Sequence, residues 1–354
     1  MASTLGEVSD TWRCAGLRWS GGVDGRSAGP GLVWESHKAW ESHEAVGESG
    51  DAYGGRHSGG GPGGGPGGAA GRVSALAYGR ELGFRAVGTR RCTGAGRGRC
   101  PLAAEVPARS TGAQCSECAR LDRMRSVAAD TMADDPRPYR VYLAWFGPGM
   151  RKVGITAEAR GSARLLEQGA VTFSWLGRGP LMAARRTEEL LRAALGVPDR
   201  IPYAAKRAAR AGLPPRPERA AELAELHARA VALAGWPGSL ERAPFVAVDH
   251  AAAFGLEDGT VGDVGGGDGG LRLAAAVTEL VAGGSIAGHL VAAAGPDLHV
   301  AVEGKGVVVV DTRLMKGWRL GHTGREGREG NEERGSWLAL PVRQLRGDVQ
   351  DGLF

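Results

Sequence analysis

Lysine is scarce in this sequence of 354 residues, although basic residues are not. Lysine and arginine together number 44, and removing the five lysines leaves 39 arginines. Such a ratio, in a chain with 60 glycines, is typical of GC-rich coding bias. The net charge of +5 permits an anionic partner such as nucleic acid but does not require one. The placement of the arginines is therefore more informative than their number.

A long apolar run and a secretory signal are also missing. The most apolar stretch, residues 271–295, contains Arg272, Glu279 and His289, which argues against a membrane span. The opening residues MASTLGEVSDTWRC show no basic region followed by an apolar one. We therefore expect a cytoplasmic protein without a membrane partner. In that compartment, five cysteines favour metal binding or reactive thiols over a disulfide framework.

Familiar enzyme motifs are absent as well. The sequence has no P-loop and no Ser-His-Asp arrangement, and its glycine runs at 59–68 and 265–270 lack the strand-to-helix context of nucleotide-binding motifs. His289 and His299 fall in predicted strands, and we interpret both as ordinary strand residues. Known metabolic enzyme classes therefore gain little support.

The pattern along the chain predicts a mixed α+β protein made of several segments. A β-meander is expected at 285–293, 297–303 and 307–312. The expected segments are a disordered start (1–11), N-terminal strands (12–35), a Gly/Pro-rich linker (36–71), a zinc-ribbon-like cysteine module (72–133), a central unit (134–200), a helical segment (201–240), a C-terminal β-rich module (241–322) and a flexible tail (323–354).

The central unit reads in the order β-β-α-β-α. Its predicted elements are strands at 139–146 and 150–155, a helix at 162–168, a strand at 170–176 and a helix at 181–195. With 147–149 as the hairpin loop, residue 146 pairs with 150, 144 with 152 and 142 with 154. Tyr142 and Lys152 then share a face of the sheet, and Gly154 leaves room above the tyrosine.

The two helices of this unit add charged residues beside the hairpin. Arg164 lies in the first helix, two residues after its expected cap, Ser162. Glu188 falls at the edge of the apolar stripe of the second helix, where it can face a cleft beside the sheet. Taken singly, Tyr142 is also typical of a strand aromatic, Arg164 of a solvated residue and Glu188 of a partner for a nearby arginine.

Four of the five cysteines crowd into one region of 27 residues, 92–118. They are Cys92, Cys100, Cys115 and Cys118. The last two lie close enough in sequence to turn back onto one tetrahedral ion, and a glycine-rich loop lets the first two complete the set. This pattern predicts a structural zinc site, with buried or free thiols and a redox pair as the alternatives.

The central unit resembles the GIY-YIG nuclease domain. Residues 140–142 take the place of its first motif, 152–154 the second, Arg164 the helix arginine and Glu188 the late glutamate. The resemblance implies that the motif tyrosine positions or deprotonates water, the arginine neutralises phosphate oxygens and the glutamate holds Mg²⁺.

The sequence departs from the nuclease pattern in three ways. Arg140 replaces a glycine, Lys152 replaces the second tyrosine, and no asparagine occurs between Thr156 and Gly196. Over most of its length outside 36–71 and 323–354, the chain is similar to an uncharacterised bacterial and archaeal family, domain-of-unknown-function family 2797. The shared features are Arg91-Cys92, Gln114-Cys115, Cys118, KVGIT at 152–156, Arg164, Gln168-Gly169-Ala170 and Ala184-Arg185 with Glu188.

Three hypotheses of function follow. The first is a protein that binds DNA or RNA at a basic cleft of a silent nuclease-like domain. The second is an active Mg²⁺-dependent endonuclease or phosphodiesterase that uses Tyr142, Lys152, Arg164 and Glu188, and the third is a structural or protein-interaction zinc protein. Further basic residues expected around the cleft are Arg151, Arg160, Arg185 and Arg186.

Overall fold

The computed structural model describes residues 12–20, 29–36, 72–96, 98–124, 135–198, 200–257, 271–322 and 337–345. The expected disordered start, nearly all of the linker and most of the flexible tail lie outside these ranges. Residues 337–345 of the expected tail instead contain two short strands, and Trp337 in the first of them donates a hydrogen bond to Ser285 Oγ at 3.1 Å. The apolar residues of this stretch explain the difference, because they can join the core of a sheet.

The protein is a mixed α+β structure, as the sequence predicts. Its strands are β1 (Trp12–Ser20), β2 (Gly29–Ser36), β3 (Arg72–Ala75), β4 (Glu81–Val87), β5 (Tyr139–Gly147), β6 (Met150–Ala157), β7 (Thr172–Gly179), β8 (Glu241–Arg242), β9 (Val248–Asp249), β10 (Leu273–Val277), β11 (Ser285–Ala294), β12 (Asp297–Val302), β13 (Gly306–Asp311), β14 (Arg319–His322), β15 (Trp337–Ala339) and β16 (Val342–Gln344). Its α-helices are α1 (Ser116–Met124), α2 (Ala163–Gln168), α3 (Leu181–Leu195), α4 (Tyr203–Ala209), α5 (Arg216–Val231), α6 (Ala251–Phe254) and α7 (Thr312–Met315), with a 3₁₀ turn at Glu158–Arg160.

Eleven strands within the described ranges form one large sheet. The order is β16-β10-β13-β12-β11-β4-β14-β1-β2-β3, with β15 beside β11. Strands β11, β12 and β13 are antiparallel neighbours, which confirms the predicted meander. The N-terminal strands, β4 ahead of the cysteines and the C-terminal strands therefore share one sheet, although the sequence places them in separate segments.

A small sheet of five described strands carries the central unit, in the order β6-β5-β7-β8 with β9 beside β7. The predicted order of elements is confirmed, and so are the pairs Tyr142–Gly154 and Ala144–Lys152. The expected pairing of residue 146 with 150 is wrong, because Gly147 pairs with Met150 across a bulge. The loop is shortened to two residues, with the second, Gly149, at φ +68°.

Helices cover both faces of the small sheet. Leu143 and Trp145 of β5 share a core with residues of α3 and α5, whereas Tyr142 and Phe146 pack with Leu165 of α2 on the opposite face. Helix α2 also contacts β1 and β11, so it lies between the two sheets. It ends at a left-handed glycine as expected, but the side chain of Ser162 makes no capping hydrogen bond.

In the part of the chain that the structure describes, no helix is both long and apolar enough to span a membrane.

Candidate functional site

The four clustered cysteines meet in space. Their sulfur atoms all lie within 4.8 Å of one another, and Sγ of Cys100 is 3.9 Å from Sγ of Cys115. A tetrahedral zinc ion with Zn–S bonds of about 2.3 Å sets its sulfur ligands about 3.8 Å apart. Cys92, Cys100, Cys115 and Cys118 can therefore hold one metal ion.

The backbone around these cysteines donates hydrogen bonds to sulfur. Cys92 Sγ accepts the N–H groups of Gly94 at 3.3 Å and of Cys115 at 3.2 Å. The backbone N–H of Cys118 is the main cause that lowers the pKa of Cys115 to about 7, whereas burial raises the pKa of Cys92 and of Cys118. A bound cation favours the thiolate form of all four, so the donor set fits a metal.

Arg90 fastens the cysteine region to the large sheet. Its guanidinium is buried and donates to the carbonyl oxygens of Pro107 and Ser110 at 2.7 and 2.6 Å. It also donates to the carbonyl oxygens of Arg313 at 2.9 Å and of Lys316 at 2.8 Å, which lie between β13 and β14. Lysine cannot reproduce this fork of planar donors, so the contact depends on arginine.

Tyr142 lies on the face where the hairpin register places it, but it is buried. Only 1% of it is exposed, and Gln168 Nε2 donates to its phenol oxygen at 3.2 Å. A Cβ atom at Gly154 would lie 2.5 Å from Cζ of Tyr142. The expectation of open room above the tyrosine is therefore wrong, because the ring itself fills the space that Gly154 leaves.

Charges from three elements act on the buried phenol. Burial raises the pKa of Tyr142, Arg164 and Arg160 act to lower it, and Glu188 acts to raise it. Arg164 lies on α2, Arg160 ends the 3₁₀ turn, and Glu188 lies on α3. Arg164, Glu188 and Arg160, all singled out from the sequence, thus act electrostatically on the phenol of Tyr142.

Arg160 and Arg164 share one carboxylate, which the sequence analysis missed. Arg160 binds both oxygens of Glu167 at 2.7 Å, and Arg164 lies 3.9 Å from the same group. Both arginine side chains stay nearly half exposed, at 47% and 46%. Arg160 and Arg164 thus outnumber the one carboxylate that they share. The i, i+3 spacing of Arg164 and Glu167 is the sequence signal that could have shown the pair.

The other predicted basic residues lie on β6 and α3. Arg151 is on the opposite face of β6, 3.4 Å from Glu222 of α5. On α3, Arg185 is half-buried and Arg186 exposed. Lys152 shares the face of Tyr142, as predicted. Its positive charge also helps to lower the pKa of Lys206.

Arg140, the residue in place of a motif glycine, is held by neighbours. Its guanidinium donates to Glu158 Oε1 at 3.0 and 2.8 Å and lies 5.2 Å from the ring centre of Trp175. Arg178 binds the second oxygen of Glu158 at 2.8 Å. The side chain of Arg140 therefore ties β5 to β7 and to the 3₁₀ turn that follows β6.

A buried ionic cluster lies between α4 and the large sheet, and the sequence analysis missed it. Asp297, which is fully buried, accepts from Arg207 at 2.6 and 3.0 Å and from Arg210 at 2.8 Å. Asp311 accepts from Arg207 at 2.8 Å and from Arg313 at 2.6 Å. The basic run in YAAKRAAR is the only sequence signal for it, because the aspartates lie about 90 to 100 residues away.

Comparison with known proteins gives one match. A family model described as "Protein of unknown function (DUF2797)" matches residues 79–320, which is well over half of the chain. The matched range contains the four cysteines, the surroundings of Tyr142 and the ionic cluster of α4. The comparisons with curated proteins and with solved structures found no match.

Proposed function

Because the chain belongs to the DUF2797 family of proteins of unknown function, whose description assigns no activity, we propose a function from the site itself. The protein binds nucleic acid, and its central unit is a GIY-YIG-like domain that is catalytically silent. The β-β-α-β-α order and the convergence of Arg164 and Glu188 on Tyr142 support the likeness. The function rests on Arg160 and Arg164, which stand half exposed with one carboxylate between them.

Two half-exposed guanidiniums that share a single carboxylate suit phosphate oxygens. Arginine binds phosphate through a planar fork of donors, and the release of counterions from the nucleic acid drives such contacts. Glu167 holds both side chains in place, so little side-chain entropy is lost on binding. Arg186, exposed on α3, can extend the same surface.

The buried phenol argues against catalysis by Tyr142. A phenol acts as a base only when its pKa is lowered towards neutral pH. Here burial raises the pKa of Tyr142, and the hydroxyl is held by Gln168 beneath the surface. Lys152 in place of the second motif tyrosine removes another candidate hydroxyl.

Binding measured against salt tests this proposal. Matched DNA and RNA oligonucleotides are titrated with the full chain between about 50 and 200 mM salt, where phosphate contacts lose much of their affinity. The double change of Arg160→Gln and Arg164→Gln should lower the slope of log K against log salt by about two. Arg109→Gln, an exposed arginine of the cysteine region, is the matched control. Affinity that stays flat with salt would remove nucleic acid as the partner.

We propose zinc as the ion of the four-cysteine site. Four thiolates in a tetrahedral set are the usual ligands of structural zinc. Purified protein should contain one zinc per chain, and Cys115→Ser should reduce it below half. Cys14→Ser, which changes a buried thiol outside the cluster, should keep the full content. A wild-type content below half an equivalent would contradict the assignment.

A second candidate, Mg²⁺-dependent phosphodiester cleavage, is favoured by one observation. Glu188 and Arg164 both act on the phenol of Tyr142 from different helices. In this candidate Glu188 would hold Mg²⁺, and Arg164 would neutralise charge on the phosphate.

Cleavage assays separate the two candidates. Any Mg²⁺-dependent cleavage from this site should disappear in Tyr142→Phe and in Glu188→Ala but persist in Glu189→Ala, an exposed neighbour on α3. Cleavage that survives the first two changes cannot come from this site. A wild type that binds without cleaving supports the silent domain.

A further inference from the structure

A second pair of arginines shares one carboxylate at the end of the small sheet where β5 begins. Arg140 on β5 donates to Oε1 of Glu158 at 3.0 and 2.8 Å, and Arg178 on β7 donates to Oε2 at 2.8 Å. The side chain of Arg178 is 52% exposed and that of Arg140 is 35% exposed. The arrangement repeats the one around Glu167, where two partly exposed arginines also share one carboxylate.

The two arginine pairs are neighbours, because one short turn connects them. Glu158 begins the 3₁₀ turn and Arg160 ends it, so their Cα atoms lie at most about 7 Å apart. From Glu158 the contacts continue to Arg178 on β7. From Arg160 they continue to Glu167 on α2. The charged side chains therefore form one series of neighbours from β7, across the turn, to α2.

The strand register places the second pair on the same face of the small sheet as Tyr142. Arg140 lies directly opposite Arg178 in β7, and residues directly opposite each other point to one face. Arg140 and Tyr142 are two positions apart in β5, so they share that face as well. Helix α2, which carries Arg164, packs on this face. Both arginine pairs therefore lie on the α2 side of the small sheet.

The shared carboxylate leaves both arginines of the second pair with unused donors. An arginine side chain has five N–H groups in a planar fork. Among the described residues, Arg178 uses only its Nε–H, on Glu158, and Arg140 uses its Nε and one of its Nη groups. The guanidinium of Arg140 also lies 5.2 Å from the ring centre of Trp175, which helps to hold it in place. Open donors on guanidiniums that are already positioned suit a phosphate group.

Arg137, just before β5, shows how an arginine is paired when it serves the fold alone. Its Nε donates to both oxygens of Asp135 at 2.9 and 3.0 Å, and that carboxylate is only 2% exposed. One arginine there matches one buried carboxylate. At Glu158, Arg140 alone would tie β5 to the turn, and Arg178 is a second and more exposed cation. Glu241, opposite Arg178 on β8, raises the pKa of Arg178 less than Glu158 does.

We propose that Arg140 and Arg178 bind phosphate groups of the same nucleic-acid strand that contacts Arg160 and Arg164. This inference rests on the proposed function, and it adds the class of ligand, which is a strand long enough to span both arginine pairs. A mononucleotide offers a single phosphate group, so it gains less from the second pair. A strand that contacts both pairs binds more tightly, because its second contact is made within the complex.

The salt dependence of binding tests the second pair directly. The full chain is titrated with a strand of about ten nucleotides between about 50 and 200 mM salt. The double change of Arg140→Gln and Arg178→Gln should lower the slope of log K against log salt by about two. Arg178→Gln alone should lower it by about one and keeps the bond of Arg140 to Glu158, so this variant should retain the fold. Arg137→Gln, whose charge is already matched by Asp135, should keep the wild-type slope.

Strand length provides the second test. The wild type should bind the longer strand about tenfold or more tightly than a dinucleotide, because only the longer strand reaches both pairs. The double variant of Arg140 and Arg178 should lose most of this gain. A wild-type slope together with a wild-type gain in that variant would overturn the inference.

The inference and the proposed function can fail separately. If the double variant of Arg160 and Arg164 lowers the slope while that of Arg140 and Arg178 does not, the nucleic-acid function stands and the second pair only ties the sheet. If the opposite holds, the strand binds at the second pair, and the proposed site at Arg160 and Arg164 is wrong. Wild-type affinity that stays flat with salt would remove both.

Discussion

At the scale of single residues, the missing side chain of Gly154 decides where the phenol of Tyr142 lies. The two residues face each other across β5 and β6, and the ring rests against the glycine. Gln168 then holds the hydroxyl from α2. One glycine thus allows an aromatic side chain to lie flat in a buried layer between the small sheet and α2.

Gly154→Ala should destabilise the protein. The added methyl group would overlap the ring of Tyr142, and overpacking of a core usually costs about 1–3 kcal/mol. Chemical denaturation measures the loss. Gly238→Ala is the control, because a Cβ atom there meets nothing within 4 Å. A Gly154→Ala protein as stable as this control would show that the ring moves away freely.

Lys206 should make stability depend on pH. Its pKa is about 7 in the folded chain and about 10.4 in an unfolded one, so between these values the unfolded state binds the extra proton. The free energy of unfolding should therefore rise between about pH 7 and pH 9, by at most about 1.4 kcal/mol per pH unit from this group. Lys206→Met should flatten the rise, and Lys305→Met should keep it. Parallel curves for wild type and Lys206→Met would rule out a buried, neutral lysine.

At the scale of elements, a short helix is fixed to the large sheet by charge. Helix α4 has seven residues, and Arg207 on it and Arg210 directly after it both bind Asp297 at the start of β12. Burial alone would raise the pKa of Asp297, but the two arginines lower it. The helix is therefore placed by long-range ion pairs as well as by its apolar contacts.

Asp297→Asn should destabilise the protein strongly. The change leaves Arg207 and Arg210 without their shared charge, and breaking a buried ion pair commonly costs about 3–5 kcal/mol. Glu303→Gln, in the exposed β12–β13 loop, is the matched control and should change little. Thermal and chemical unfolding measure both. A loss below about 1 kcal/mol would mean that water or other groups satisfy the arginines.

The sequence predicts elements whose partners are near in the chain better than those whose partners are far. The hairpin register at Tyr142 and Gly154, helix α3 and the meander follow from periodicity and turn residues. The four cysteines could be assigned to one site from the sequence because four thiols close together are typical of a metal site.

The same reasoning could not predict partners that lie far apart in the sequence. Arg207 and Asp297 lie 90 residues apart, and β1 pairs with β14 some 300 residues later. No local pattern carries such pairings, because only the complete sheet brings the partners together. The hydrogen bond from Gln168 to Tyr142 was missed for another reason, since a polar residue at a helix end suits solvent as well as a phenol.

At the scale of the whole molecule, Arg90 is a main tie between the cysteine region and the large sheet, beside the hydrogen bond from the Arg91 N–H to Gly317 and the ion pair of Arg109 with Glu279. The guanidinium of Arg90 joins carbonyl groups of the cysteine region to those near α7. Inside the region, two backbone N–H groups donate to Cys92 Sγ, and others donate to carbonyl oxygens, such as that of Cys92 to Ala104 at 2.8 Å. We therefore expect a metal ion held by the four cysteines to add to the internal order of the region, which Arg90 helps to attach to the large sheet.

Metal removal should loosen the cysteine region while leaving the rest folded. A strong chelator takes away the charge that keeps four thiolates together, and structural zinc commonly supplies folding energy to such modules. Hydrogen exchange should accelerate in residues 92–118 and stay slow in β5 and β7. The chelator-treated Cys115→Ser variant is the control, because it should show no further change. Unaltered exchange in 92–118 after the metal has left would mean that the module is held without it.

The interleaved order of the large sheet also governs how the chain can assemble during synthesis. A ribosome delivers β1, β2 and β3 first, and these can pair with one another, but they join the remaining strands only through β14. Strand β4 likewise waits for β11 and β14, while the small sheet can close as soon as its own segment has emerged. Folding during synthesis should therefore proceed from the middle of the chain outwards. The strands that are synthesised first should be among the last to join the complete sheet.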